Sequence, residues 1–125
     1  MQVRNIRWVG TATSNYSAMA AFARDVLGMR VNFEEEATTE LLTLGGDAFQ
    51  VFGPGDTYHD FFDCQARGPV PLFEVDDVHE AREELVRAGI EVIGDLAHDS
   101  NWDWVNFRAP DGHLYELASR RPSKT

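Results

Sequence analysis

Two segments of the chain carry a polar side chain at the same distance after a glycine. Gln50 follows Gly46 by four residues, and Glu116 follows Gly112 by four residues. The Gln50 amide can donate and accept hydrogen bonds, whereas the Glu116 carboxyl can also take up and release a proton. The matched spacing predicts equivalent positions in two similar segments, with Glu116 as the candidate catalytic residue, a general base.

Further side chains are expected on the same sheet faces as Gln50 and Glu116, because successive residues of a strand point to opposite faces. The neighbours Val51 and Leu117 are apolar and suit a core. The expected ligand-binding set is Trp8, Gln50, Phe52, Glu74, Trp104, Asn106 and Glu116. Its indoles, Trp8 and Trp104, could bind planar or cationic organic molecules by stacking and cation–π contact. The same rings could instead fill the interior or a subunit interface.

The elements that must position these residues form two similar halves. The first helix is expected after Asn15 as its cap, with an apolar stripe at helical spacing, Met19, Phe22, Ala23 and Val26, and an end at Gly28. A second helix is expected after Asp77, with Glu80 completing a capping box and Gly89 ending the helix. Each helix lies between one strand-like run and three more, so each half has the order β-α-β-β-β.

A single β-α-β-β-β unit leaves one sheet face uncovered, so two units are expected to fold together. The prediction is one α+β domain over residues 1–125, with module one at 4–52, a linker loop at 53–69 and module two at 70–119. The modules are expected to be related by a pseudo-twofold axis. Their curled mixed sheets would carry helices outside and surround a concave central cavity.

The segment from Arg108 to Leu117, with its Pro110-Asp111-Gly112 turn, resembles the vicinal oxygen chelate superfamily. That superfamily includes glyoxalases, bleomycin-resistance proteins and extradiol dioxygenases. The first-helix exit at residues 26–29 and the segment 72–77 are also similar to it. The resemblance extends over about residues 4–119 and implies the paired-module fold. It also implies a divalent-metal site with ligands at Trp8, Gln50, Val70 and Glu116.

These four residues depart from the metal-binding pattern of the superfamily. The Trp8 indole offers only an N–H donor, and the Val70 side chain offers no donor atom to a metal. Catalytic metals commonly have three protein ligands, so Gln50 and Glu116 are too few. We therefore expect no metal ligands and no cofactor, although a site combining Glu116 with His59 or His98 is a less favoured possibility.

The resemblance and the altered ligand set together favour a protein that binds a small molecule without metal. It would sequester an aromatic or cationic compound, such as an antibiotic, as bleomycin-resistance proteins do. The alternative is a glyoxalase-like lyase or isomerase, or a dioxygenase-related enzyme, acting on a small oxygenated substrate. In that case Glu116 would be the base, assisted by Glu74 or Gln50. A homodimer is expected, since superfamily members often complete the cavity with a second chain.

Composition excludes several other classes of function. Twenty-one acidic residues against eleven basic ones give a net charge of −10, which disfavours nucleic acid as a partner. The sequence lacks an apolar run long enough to cross a membrane and a recognisable secretory signal, so no membrane partner is expected. The single cysteine, Cys64, excludes a disulfide framework within the chain and favours a cytoplasmic location. Nothing in the sequence identifies the ligand or substrate.

Overall fold

The computed structural model describes residues 1–122, within which there are eight β-strands and three α-helices. The predicted α+β class with two β-α-β-β-β modules is confirmed. None of the helices in this described part is long and apolar enough to cross a membrane. The chain forms two compact units. We call Trp8–Val70 the Gln50 unit, and Met1–Arg7 together with the chain from Pro71 onward the Glu116 unit.

The Gln50 unit contains a four-stranded mixed sheet with the order β2-β3-β4-β1. Strands β1 and β4 are parallel, and the other pairs are antiparallel. One face packs on the first helix through a core of Ala23, Leu41 and Val51. The elements are β1 (Asn5–Ala12, from Trp8 within this unit), α1 (Tyr16–Ala21), β2 (Arg30–Glu34), β3 (Thr38–Leu42) and β4 (Ala48–Phe52).

The first helix differs from its prediction in two ways. Asn15 precedes α1, but its side chain makes no capping hydrogen bond, so the predicted cap is wrong. Helix α1 continues as a π-helical segment, Phe22–Val26, in which the Leu27 amide donates to the Phe22 carbonyl. The wider turn rotates the predicted apolar stripe, because a π-helix has more residues per turn than an α-helix. Ala23 is buried as expected, whereas Phe22 and Val26 are exposed.

The predicted linker loop at 53–69 contains a helix, α2 (His59–Gln65). Its two buried residues, His59 and Phe62, are three positions apart and therefore lie on one face of the helix. The helix begins after a turn in which the Asp56 carboxylate accepts a hydrogen bond from the Tyr58 amide at 2.8 Å. This helix has only two turns and contains two aspartates, so its apolar residues give a weak helical periodicity. For that reason the sequence indicated a loop.

Within the Glu116 unit the strand order is β5-β8-β7-β6, with a parallel β5–β8 pair and antiparallel pairs elsewhere. Asp77 caps its helix as predicted, accepting hydrogen bonds from the amides of His79 and Glu80. The helix packs on one face of the sheet, where Val105, Phe107 and Leu117 are buried. The elements are β5 (Val70–Glu74, from Pro71 within this unit), α3 (Val78–Arg87), β6 (Glu91–His98), β7 (Trp102–Arg108) and β8 (Leu114–Arg120).

A tight turn between β7 and β8 sets the register of these two strands. Gly112 has φ +85°, which glycine adopts without strain, and its amide donates to the Ala109 carbonyl at 2.8 Å. The Asp111 carboxylate accepts from the His113 amide at 2.9 Å. The resulting register places Asn106 directly opposite Glu116.

Candidate functional site

Glu116 lies in the middle of β8, which is paired with β5 on one side and β7 on the other. Its neighbours in sequence point toward α3, so Glu116 points to the opposite face of the sheet from α3. The side chain is buried, and Asn106 Nδ2 donates a hydrogen bond of 2.9 Å to Oε1. Since Asn106 is bonded to Oε1, Oε2 is the carboxyl oxygen left for other chemistry.

Burial changes the acid–base behaviour of Glu116. It raises the pKa of this carboxyl to about 7, while the hydrogen bond from Asn106 acts in the opposite direction. Burial dominates because the charged form loses its hydration and a neutral amide replaces only part of it. Near neutral pH the carboxyl is therefore present in both protonation states, as a general acid or base requires.

The second carboxylate of the predicted site, Glu74, has a very different environment. Its Oε1 accepts a 3.1 Å hydrogen bond from Asn5 Nδ2 and lies 3.8 Å from Arg7 Nε. Its Oε2 lies 3.7 Å from Arg120 Nε. Glu74 is therefore surrounded by two guanidinium groups and an amide, whereas the partner of Glu116 is a single neutral amide. Of the two carboxylates, Glu74 is the one held by several side chains, and Glu116 is the one suited to proton transfer.

The two tryptophans of β7 point to the same face as Asn106. Trp104 is half-buried and lies opposite Ala97 on β6 and Ala118 on β8. Trp102 contacts guanidinium groups of the protein itself, with Arg120 Cζ 4.6 Å and Arg7 Cζ 5.7 Å from the ring centroid. The cation–π capacity of Trp102 is therefore used internally, and Trp104 is the indole nearer in register to Glu116.

In the Gln50 unit, a chain of hydrogen bonds begins at Trp8. Trp8 Nε1 donates to Gln50 Oε1 at 3.1 Å, and Gln50 Nε2 donates to Thr38 Oγ1 at 2.9 Å. The Thr38 hydroxyl then donates to the Val51 carbonyl at 3.1 Å. The structure thus brings Trp8 and Gln50 together, and both ends of the Gln50 amide are bonded to protein groups.

Phe62 of helix α2 contacts aromatic residues of the Gln50 sheet. The Phe62 ring centroid lies 5.2 Å from that of Phe52 and 6.2 Å from that of Trp8. Trp8 and Phe52 also contact each other, with centroids 6.1 Å apart. Trp8, Phe52 and Phe62 therefore form one group of contacting rings, which we call the aromatic cluster. Phe62 comes from the segment predicted to be a linker loop.

A glycine makes the packing of Trp8 possible. A Cβ at Gly10 would lie 2.5 Å from Trp8 Cζ2 and closer still to Cη2, so the indole lies flat over this residue. We expect Gly10→Ala to displace the indole and break its hydrogen bond to Gln50, destabilising the fold by about 1–3 kcal/mol. Chemical denaturation followed by tryptophan emission measures both effects. Gly68→Ala is the control, since a Cβ there meets open space. Unchanged stability and emission in Gly10→Ala would contradict this packing.

The residues at the expected metal-ligand positions do not fit a catalytic metal. Trp8 presents a hydrogen-bond donor, Val70 is aliphatic, and the Gln50 oxygen already accepts from Trp8. Glu116 is the one carboxylate of the set. In the part of the chain that the structure describes, His, Cys, Asp and Glu side chains form no group of three able to hold a metal. These positions therefore lack the donor set that divalent-metal chemistry needs.

The histidines fall into two classes. His98 and His113 are exposed, and His79 is exposed with Nε2 3.6 Å from Asp103 Oδ2. His59 is buried on α2, which the sequence did not indicate. The sequence also gave no sign of Asn5, Arg7 and Arg120 around Glu74.

The chain has two β-α-β-β-β modules, with Gln50 on β4 of the first and Glu116 on β8 of the second. This arrangement is typical of one class of protein. The chain matches the Glyoxalase/Bleomycin resistance protein/Dioxygenase superfamily over residues 5–117 and belongs to that superfamily. No curated protein matches the chain.

Solved structures with the same fold include enzymes and a further superfamily member. Methylmalonyl-CoA epimerase from Mycobacterium tuberculosis is 22% identical with a TM-score of 0.71, covering 96% of this chain and 90% of that one. The Mn(II)-bound glyoxalase from Novosphingobium aromaticivorans is 21% identical with a TM-score of 0.73, covering 99% of this chain and 42% of that one. A superfamily member from Vibrio splendidus 12B01 is 19% identical with a TM-score of 0.68, covering 89% of this chain and 95% of that one. At these identities the likeness shows the fold.

Proposed function

We propose that the chain is a metal-independent enzyme of the glyoxalase-like lyase or isomerase type. In this proposal Glu116 moves a proton at a carbon atom next to a carbonyl group of a small oxygenated substrate. The observation that carries the proposal is the buried Glu116 carboxyl, which faces away from α3 and is bonded to a neutral amide. A perturbed carboxyl of this kind is typical of functional sites.

The proposed step needs only the carboxyl and the substrate. Glu116 Oε2 forms an O–H bond with the proton as the substrate C–H bond breaks, and the electron pair moves onto the carbonyl oxygen as an enolate. Return of the proton to carbon completes an exchange or isomerisation. A pKa of about 7 suits both directions, because the carboxylate accepts the proton and the resulting acid gives it back.

Neighbouring residues would support this step without taking part in it chemically. Asn106 holds Oε1 and thereby orients the carboxyl, which makes it a positioning residue. Glu74 is held by Asn5, Arg7 and Arg120, and this favours a structural role over the assisting role considered from sequence. Trp104, on the same face as Asn106, would supply an apolar surface for the substrate.

Sequestration of an aromatic or cationic compound without turnover is the second candidate. It is favoured by the aromatic cluster of the Gln50 unit, where Trp8, Phe52 and Phe62 gather on one face. An antibiotic is one member of the ligand class such rings would bind. The proposal for Glu116 has the stronger support. The rings of the aromatic cluster already contact one another within the protein, whereas burial raises the pKa of the Glu116 carboxyl to about 7, as proton transfer requires.

Hydrogen exchange on a panel of substrates tests the proposal. The chelator-treated protein is incubated in D₂O with small 2-oxo acids, 2-hydroxy ketones and acyl thioesters, and proton NMR follows loss of the α-hydrogen signal. We expect catalysed exchange on at least one compound, unchanged by added Zn²⁺, Ni²⁺ or Mn²⁺. Exchange that appears only with metal would overturn the metal-independent proposal. Binding without exchange would favour sequestration, and neither binding nor exchange would overturn both candidates.

We also propose a homodimer in the cytoplasm. Superfamily members often complete the cavity with a second chain, which supports this proposal. Strand β6 also ends the order of strands in the Glu116 unit and offers an edge for pairing. Analytical ultracentrifugation at micromolar concentration should show a dimer, and a monomer would contradict this expectation.

A further inference from the structure

One buried nitrogen in the Gln50 unit lacks a hydrogen-bond partner. His59 is only 8% exposed, and its Nε2 atom is the buried side-chain atom without a partner among the described residues. Burying a polar atom without a partner costs free energy, so such atoms are rare in folded proteins and call for an explanation. A ligand that bonds to this nitrogen would supply one.

The other ring nitrogen of His59 determines what kind of ligand group fits. Nδ1 lies 3.1 Å from Oδ1 of Asp60, and an ionised carboxylate can only accept hydrogen bonds. In the neutral ring, Nδ1 therefore carries the hydrogen, and Nε2 presents a lone pair. A lone pair is satisfied by a donor such as a hydroxyl or an N–H group, and not by another acceptor.

The surroundings of His59 determine the rest of the ligand. His59 and Phe62 are the two buried residues of α2 and lie on the same helix face, one turn apart. Phe62 contacts Phe52 and Trp8, and its ring centroid lies 6.4 Å from that of Tyr58. His59 is therefore on the same side of α2 as Phe62, whose ring contacts the aromatic cluster. At such a cluster a flat ring makes favourable edge or offset contacts.

We propose that His59 is the recognition residue of a binding site for phenolic compounds in the Gln50 unit. The phenol hydroxyl would donate to His59 Nε2, and the ring would pack beside Phe62 on the aromatic cluster. Asp60 would act as a positioning residue that fixes the tautomer. This inference goes beyond the proposed function, because it concerns binding in the Gln50 unit and needs no proton transfer by Glu116.

A matched pair of probes tests the proposal on the wild-type protein. Phenol and anisole have the same ring, but only phenol has a donor. Nitrogen-15 NMR of labelled histidine should show that phenol moves the His59 Nε2 resonance toward its hydrogen-bonded range, whereas anisole leaves it in place. Titration should give phenol at least tenfold higher affinity than anisole.

Variants separate this site from other parts of the protein. His59→Phe keeps an aromatic ring but removes the acceptor, so we expect it to abolish the preference for phenol. His59→Gln, which retains an acceptor, should recover part of that preference. His98→Phe, at an exposed histidine, and Glu116→Gln should both keep it. Equal affinity for the two probes, or no binding of either, would overturn the proposal. So would an Nε2 resonance already in the hydrogen-bonded range without phenol, which would indicate an ordered water.

Discussion

Glu116→Gln should lower the rate of proton exchange on an active substrate by at least about 100-fold, the usual contribution of a general base. Gln has nearly the same shape and can still bond to Asn106, but it cannot take up a proton at neutral pH. The wild-type rate should rise with pH and level off above about 7, as the carboxyl loses its proton. The rate of the variant should stay low at every pH. Proton NMR of the exchange reaction between pH 5 and 9 measures both.

Two further variants show whether the loss is specific to the proton-transfer group. Glu83→Gln makes the same chemical change at an exposed position of α3, where Glu83 only pairs with Arg87, and should leave the rate unchanged. Glu116→Asp keeps a carboxyl on a side chain that is one methylene group shorter, and it should retain part of the activity. Exchange that persists in Glu116→Gln would show that another group is the base.

The same carboxyl should make the stability of the protein depend on pH. Burial raises the pKa of Glu116 from 4.5 to about 7, so between these values the folded state holds a proton that the unfolded state has released. The contribution of the protonated carboxyl is therefore fully present below about pH 4.5 and is lost as pH rises through about 7. Each pH unit of displacement corresponds to about 1.4 kcal/mol, so the total loss is about 3 kcal/mol.

A comparison with Glu116→Gln isolates this effect from the other titrating groups. The variant has no carboxyl at this position, so its free energy of unfolding should gain on the wild type by about 3 kcal/mol between pH 4.5 and 8. Urea denaturation at a series of pH values measures the difference. Glu83→Gln removes a carboxyl at an exposed position and is the matched control. If the free energy of unfolding changed with pH in the same way for the wild type and Glu116→Gln, the raised pKa of Glu116 would be contradicted.

The sequence predicted most of the fold correctly, because helix ends and strand faces are determined by residues that are close together in the chain. Gly28 and Gly89 both end helices with φ near +75°, where other residues are strained. Alternation correctly separated buried Val51 and Leu117 from the polar residue beside each. One exception is the first helix, where a π-helical turn changed which side chains face the core, because periodicity assumes a regular α-helix. The other is α2, which lies in the segment predicted to be a loop.

The chemistry of the site was less predictable because it depends on contacts between distant residues. The sequence put Glu116 and Asn106 on one face, but their hydrogen bond depends on the strand register set by the turn at Gly112. It put Glu74 in the same set without revealing that Arg7 and Arg120 pair with it. His59 is buried on a short helix, and the two turns of that helix give only a weak periodic pattern in the sequence.

The most direct test of the central claim is the pKa of Glu116 itself. Carbon-13 NMR of the side-chain carboxyl, titrated in chelator-treated protein and assigned with Glu116→Gln, measures it without any substrate. We expect a midpoint near pH 7 that is unaffected by added divalent metal. A midpoint below about 5, close to the ordinary value for glutamate, would contradict it. So would a carboxyl that stays ionised throughout because it binds metal.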